Sequence, residues 1–238
     1  MQLNCIPPRS QNPTVTRAAQ HIGIVREGWK ALKNGIYHYN SLKALGEGAF
    51  GTVYMGKVKA TNDNCAVKAI PLQKIHAMGM EEDIHREVNN LMTALKLKNP
   101  FAIEFIDSFL TKTNYYIITE FCDGGTLDDE CKKREDSEDY YTINQAKNII
   151  YQIILGLSSL SLGKIVHRDI KTENIFINNG VYKIGDFGSS KVTQQAFSTM
   201  NVGTKCYCAP EYFEGGGELG CKVDVWATGC MLHRILFG

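Results

Sequence analysis

The sequence predicts an α+β, bilobal fold, a small antiparallel β-sheet lobe with one helix followed by a mainly helical lobe. Three observations lead there. Between residues 39 and 121 the chain breaks into short runs rich in Val, Ile, Tyr and Phe (YNSLKALG, TVYMGKV, NCAVKAIP, FAIEFIDSFL and YYIITEFC), which is strand chemistry. One segment among them repeats apolar residues every three or four positions, as a helix face does. After Gly124-Gly125 that helical period takes over.

Residues 1–38 come first. Pro7, Pro8 and Pro13 with scattered Ser, Thr and Gln give little periodicity, so an N-terminal extension is expected, flexible and at most a turn of helix near 24 to 33. The domain is expected over 39–238, its small lobe at 39–122 and its helical lobe at 123–238. In the small lobe's helical segment Met80, Ile84, Val88, Leu91, Met92 and Leu95 recur at helix spacing and stop before Asn99-Pro100. Glu87 points close to the buried side of that helix, where an unpaired carboxylate is costly and a partner is expected. Glu81 and Glu82 fall in its first turn, where the helix dipole alone accounts for acids. In the helical lobe Ile143, Ala146, Ile149, Ile150, Ile153, Leu157 and Leu160 form a second stripe, and KKREDSED at 132–139 reads as a solvated helix end or loop.

Composition narrows the function. With 44% apolar and 21% charged residues the chain is ordinary globular material, and a formal net charge of +1 offers no basic stripe for nucleic acid and no pull toward an anionic membrane. MQLNCIPPRS lacks the pattern of a signal peptide, and no uncharged stretch reaches the length that spans a bilayer. A cytoplasmic or nuclear location is the expectation. The eight cysteines, with no CxxC among them, read as reduced thiols. Cys206 and Cys208 as metal ligands are the sharper alternative, but a lone CxC lacks a second ligand pair.

The motifs carry the chemistry. GEGAFGTVY, 46–54, places Gly46, Gly48 and Gly51 in a GxGxxG array whose backbone amides can approach phosphate oxygens. Dinucleotide-binding folds share that spacing but need a helix after it, whereas TVYMGKVKA reads as strand. The glycines therefore belong at the tip of a β-hairpin, either over a nucleotide or as a plain turn. In CAVKAI, Ala66 and Lys68 share one strand face, roughly 6 to 7 Å apart. That spacing suits a flat base above Ala66 and its phosphates at Lys68, with Glu87 as the partner of the lysine. HRDIKTEN, 167–174, sets Asp169 to orient and deprotonate an attacking hydroxyl, Lys171 to neutralise charge on a transferred phosphoryl group, and Asn174 to offer its amide oxygen to a second Mg²⁺. In KIGDFGSSK, Asp186 is a hard oxygen ligand for Mg²⁺.

With these pieces in this order, followed by APE at 209–211 and DVWATGC at 224–230, the chain resembles the eukaryotic protein kinases over about residues 39–238. The resemblance implies a C-terminally truncated protein-kinase-like fold using ATP and Mg²⁺, with a protein Ser/Thr acceptor as partner and neither nucleic acid nor membrane. Lys68 would bind the α/β-phosphates and pair with Glu87, Asp186 and Asn174 would hold Mg²⁺, and Asp169 would be the base. Val53, Ala66 and Phe176 match the residues that sandwich adenine, Glu120 and Cys122 the hinge whose backbone bonds it, and Thr119 the gatekeeper. Core packing is the plainer account of the apolar ones. Lys171 and Thr204 resemble the serine/threonine class, and YYIITEFCDGGTL with HRDIKTENIFI is most similar to NIMA-related kinases.

Two departures qualify this. Met200 occupies a position where such kinases often carry a phosphorylated threonine, so an upstream kinase is expected to act on Thr199 or Ser198, whose phosphate would meet Arg168. The chain also stops at ILFG, so Val225, Trp226, Met231, Leu232, Ile235, Leu236 and Phe237 are expected to lose a covering layer and Glu211 an arginine partner. An inactive or truncated kinase-like nucleotide-binding or scaffold module is thus the alternative to an enzyme, while an oxidoreductase fails on the strand after the glycines. Oligomeric state is left open.

Overall fold

A computed structural model describes residues 28–48, 51–189, 206–213 and 220–238. Its first lobe is a six-stranded sheet of β1 (Trp29–Leu32), β2 (Tyr37–Glu47), β3 (Thr52–Val58), β4 (Asn64–Pro71), β5 (Phe105–Leu110) and β6 (Asn114–Glu120), in the order β1-β2-β3-β4-β6-β5. Every neighbouring pair is antiparallel.

β4 is the strand on which the lobe turns. Cys65 and Val67 are fully buried on one face, where Leu32, Tyr37, Tyr39, Tyr116 and Ile118 close around them. Ala66, Lys68 and Ile70 alternate to the other, as a period of two requires. The Tyr37 ring of β2 stacks on Phe109 of β5 at 6.0 Å. Lys33, just after β1, reaches the Asp107 carboxylate of β5 at 2.5 Å, and the Tyr37 hydroxyl donates to the same group at 2.9 Å. The sheet therefore curls until strands from its two ends touch.

Those contacts correct the expected extension. Trp29–Leu32 is strand rather than a turn of helix, paired from Trp29↔Asn40 to Leu32↔Tyr37, and β2 begins before residue 39. Four residues are too few to show a period, and the contact that holds the β1–β2 hairpin against β5, Lys33 to Asp107, lies 74 residues apart. The lobe also carries two helices, not one: α1 (Leu72–Met78) and α2 (Glu81–Lys96). Gly79, at φ +64°, ends α1 in the left-handed conformation that stops a helix. In α2 the first turn holds Glu81, Glu82 and Asp83, and Ile84, Glu87, Val88, Leu91 and Ala94 are buried. The stripe is narrower than predicted, since Met92 and Leu95 are exposed.

The second lobe contains α3 (Leu127–Asp136), α4 (Ile143–Leu162), the antiparallel hairpin β7 (Ile175–Asn178) and β8 (Val181–Ile184), and α5 (Lys222–Phe237). Reciprocal capping boxes start α3 (Thr126 with Asp129) and α4 (Thr142 with Gln145). Ala146, Ile149, Ile153 and Leu160 of α4 meet Ala227, Met231 and Ile235 of α5 in a core that also takes in Ile84 and Leu91 of α2. At Gly156 a Cβ would sit about 3 Å from Ile184 and Phe101, so its absence brings α4 against β8. Against the expected loss of cover, Met231 and Ile235 of α5 are buried against α4, while Val225, Trp226 and Phe237 are exposed. Among the described residues no helix is long and apolar enough to cross a membrane.

Candidate active site

The site lies where β4, α2, the β7–β8 hairpin and the 167–174 loop meet. The glycine segment is a hairpin between β2 and β3, as expected, with the Gly48 amide donating to the Gly51 carbonyl at 2.9 Å. At Gly51 a Cβ would lie 2.3 Å from the Ala69 carbonyl of β4, so only glycine permits this approach. Gly46 stands opposite Val53 one pair before the end of the β2–β3 ladder, and Val53 pairs with Lys68.

Lys68 reaches across the lobes. Its Nζ lies 2.6 Å from Glu87 Oε1 of α2 and 3.7 Å from Asp186 Oδ1, which follows β8. The partner predicted for Glu87 is therefore present, and Glu87 is 5% exposed. Desolvation works to lower the Lys68 pKa, but the two carboxylates outweigh it and the ammonium is held charged, above its usual value. Burial pushes Glu87 up against the pull of Lys68, with the Asp186 charge adding to the rise. Desolvation raises Asp186 too, but Lys68, His167, the Gly188 amide and Lys171 together hold it below the usual carboxylate value. The side chain of Asp186 remains 43% exposed. An ionised carboxylate facing the cleft is the donor a hard divalent cation takes.

The 167–174 loop is fixed from two sides. Asp224, in the first turn of α5 and 3% exposed, accepts the His167 amide at 2.8 Å and the Arg168 amide at 2.7 Å. Arg168 and Asp186 take φ of +67° and +57°, a conformation side chains seldom adopt without outside support. His167 bonds the Gly185 carbonyl through Nε2 at 2.9 Å and meets the buried Phe187 ring edge-on at 5.2 Å. Within the loop, the Asn174 amide donates to the Asp169 carboxylate and carbonyl, both at 2.8 Å, and Lys171 lies 3.0 Å from the same carboxylate. Both bonds use the NH₂ of Asn174, and among the described residues its amide oxygen accepts no hydrogen bond. Thr172 donates to Asp128 of α3 at 3.0 Å.

Residues matched to the adenine slot come from both lobes. Ala66 stands opposite Thr119 in the β4–β6 ladder, Val53 is on β3 and Phe176 on β7, all half-buried. The Glu120 side chain is committed elsewhere, accepting from Lys183, Asn178 and the Glu104 amide, so only its backbone can meet a ligand. Among the described residues the Cys122 amide and carbonyl make no hydrogen bond. Burial, with Glu120 nearby, pushes the Cys122 thiol up to about 12. Thr204, Ser198, Thr199 and Met200 lie outside the described residues.

Two groups were missed from sequence. Asp224 was read only as a letter of DVWATGC, although a carboxylate in a helix's first turn is a natural acceptor for a loop's amides. No local signal marks the Glu120 network, whose Asn178 partner is 58 residues away.

A curled antiparallel sheet over a helical lobe, an ammonium held between a helix carboxylate and a second acid, and a loop coupling an Asp to a Lys and an Asn define a protein kinase domain. The chain belongs to that family, whose protein kinase domain matches residues 39–238. It is 33% identical over 201 residues to human serine/threonine-protein kinase Nek5, covering 83% of this chain and 27% of that protein. CBL-interacting serine/threonine-protein kinase 2 of Arabidopsis thaliana is 32% identical over 205 residues, covering 84% and 43%, and human Nek11 is 31% identical over 193, covering 80% and 30%. The chain thus spans less than half the length of these curated relatives.

Proposed function

We propose that the chain is a Mg·ATP-dependent protein serine/threonine kinase, transferring the γ-phosphate of ATP to Ser or Thr hydroxyls of proteins. The observation that carries this reading is the meeting of Lys68 with both Glu87 and Asp186 across the lobes, 2.6 and 3.7 Å away. When bound, Mg·ATP supplies the phosphoryl group and the cationic shielding of its oxygens.

The chain's own residues do the rest. Lys68, kept charged and aimed by Glu87, binds phosphate oxygens, and the glycine hairpin adds backbone amides above them. Asp186 and the free amide oxygen of Asn174 would hold Mg²⁺. The Asp169 carboxylate, fixed by the Asn174 amide, orients the acceptor hydroxyl and takes its proton, while Lys171, 3.0 Å from that carboxylate, neutralises charge on the group in transfer. Val53, Ala66 and Phe176 would enclose the base, with Thr119 at the back and the backbone of Glu120 and Cys122 along its edge. An inactive binding module gains little support, since it would have no need of Asp169, Lys171 and Asn174 joined in one network.

A protein substrate, a cytoplasmic or nuclear location and an upstream kinase acting on Ser198 or Thr199 belong to the same proposal. Transfer of radiolabelled phosphate from ATP to generic protein substrates tests its centre. Incorporation by the chain that disappears in Asp186→Ala is expected, and equal incorporation by both would overturn it.

A further inference from the structure

We infer that the Glu120 carboxylate is a positioning group that ties the lobe-to-lobe crossover to the β7–β8 hairpin, so that nucleotide affinity depends on it. This rests on the kinase reading above. The chain leaves β6 at Glu120 and enters α3 at Leu127, and the segment between has neither helix nor strand to stiffen it. Its far end is tied to β7 by the Gly124 amide on the Ile177 carbonyl at 3.0 Å and the Ile177 amide on the Gly125 carbonyl at 2.9 Å.

Its near end is tied by one side chain. Glu120 Oε1 accepts the Glu104 amide at 2.7 Å and lies 2.8 Å from Lys183 Nζ of β8, and Oε2 accepts the Asn178 amide of β7 at 2.7 Å. The Glu120 amide in turn donates to the Glu104 carbonyl at 3.0 Å. Glu104 leads into the sheet, whereas Lys183 and Asn178 belong to the second lobe. One carboxylate therefore gathers donors from both sides of the crossover.

The side chains of Glu120 and Lys183 are only 15% and 14% exposed, against 69% and 49% for the surface pair His76–Glu81. Desolvating two charges consumes much of what their attraction returns, so such a pair contributes geometry more than stability. The geometry it fixes is that of the proposed site. Lys183 stands opposite Phe176 in the β7–β8 register, and Asp186 follows three residues on. A loosened clamp would let the floor of the base slot drift from Val53 and Ala66 while leaving the Asp169 loop untouched.

The test uses the full chain with Lys183→Met, Lys183→Arg and Asn178→Ala, measuring KM for Mg·ATP, kcat and amide exchange of the crossover. Lys183→Met is expected to raise KM about five-fold or more with kcat within about twofold, since binding of the base, felt equally in ground and transition state, is weakened and the transfer groups are not disturbed. Asn178→Ala should do the same more weakly, and Lys183→Arg should restore most of the affinity. Amides between 121 and 125 should exchange faster in Lys183→Met, with α2 unchanged. Unaltered KM and exchange, or a kcat above that of the unsubstituted chain, would overturn the inference. Should the unsubstituted chain transfer no phosphate, the kinase reading fails and the proposed effect on affinity fails with it, while faster crossover exchange would still uphold the tie itself.

Discussion

The two halves of the site are built in different ways. The Asp169–Lys171–Asn174 network closes within six residues, on one loop, with bonds of 2.8 to 3.0 Å. The Lys68–Glu87–Asp186 cluster joins a strand, a helix and the end of a hairpin, and its looser contact is 3.7 Å. The first exists whenever its loop is folded, whereas the second exists only when α2 and both lobes are in place. Displacing α2 would thus break the Lys68–Glu87 contact while leaving the bonds within the loop in place.

That contrast can be broken at graded strengths. Asp169→Asn removes the proposed base, and kcat should fall by about 10² to 10⁴ with nucleotide binding retained, as equilibrium titration would show. Glu87→Gln leaves Lys68 unguided and should lower kcat/KM by roughly tenfold or more. Removing one partner of a buried pair also costs about 3 kcal/mol, to be read from denaturant unfolding. If Glu87→Gln were as damaging to kcat as Asp169→Asn, the two halves would not be separable.

A third prediction concerns pH. Asp186 is held below its unfolded value, so its contribution to stability is present above the unfolded pKa and is lost as pH falls through the folded one. Glu87 has the opposite sign, since its raised value makes the ionised form the costly one as pH rises. The difference in melting temperature between the unsubstituted chain and Asp186→Asn should therefore shrink from neutral pH toward about pH 3. The smallest effect belongs to the support of the loop by α3. Thr172→Ala, which removes the bond to Asp128, should cost about 1 kcal/mol in stability and change kcat by only a few-fold.

Legibility from sequence follows the same division. The 167–174 loop could be read as chemistry because its groups are neighbours in the chain, and Lys68 with Glu87 because strand and helix periods place them. What was missed is either too short to carry a period or depends on distant contacts. β1 and α1 are simply short: β1 is four residues paired locally with β2, its hairpin held to β5 by Lys33 and Asp107, 74 residues apart, and α1 is seven residues between Pro71 and Gly79. The Asp224 tie spans 57 residues from His167. Periodicity says which face of an element is buried, but not which loop amide a buried carboxylate will find. The narrower stripe on α2 has the same origin, since Met92 and Leu95 stay outside a core whose edge other elements set.

β4 has apolar neighbours packed on one side and the reacting groups on the other, so its alignment with β3 and β6 admits no slack. A slip of a single residue would thrust the Lys68 ammonium among the rings of Tyr39 and Tyr116 and leave Val67 facing Glu87 and Asp186. The aromatic packing thereby acts as a proofreading gauge: a misaligned lobe would be penalised by a stranded cation before it could be tested by any substrate.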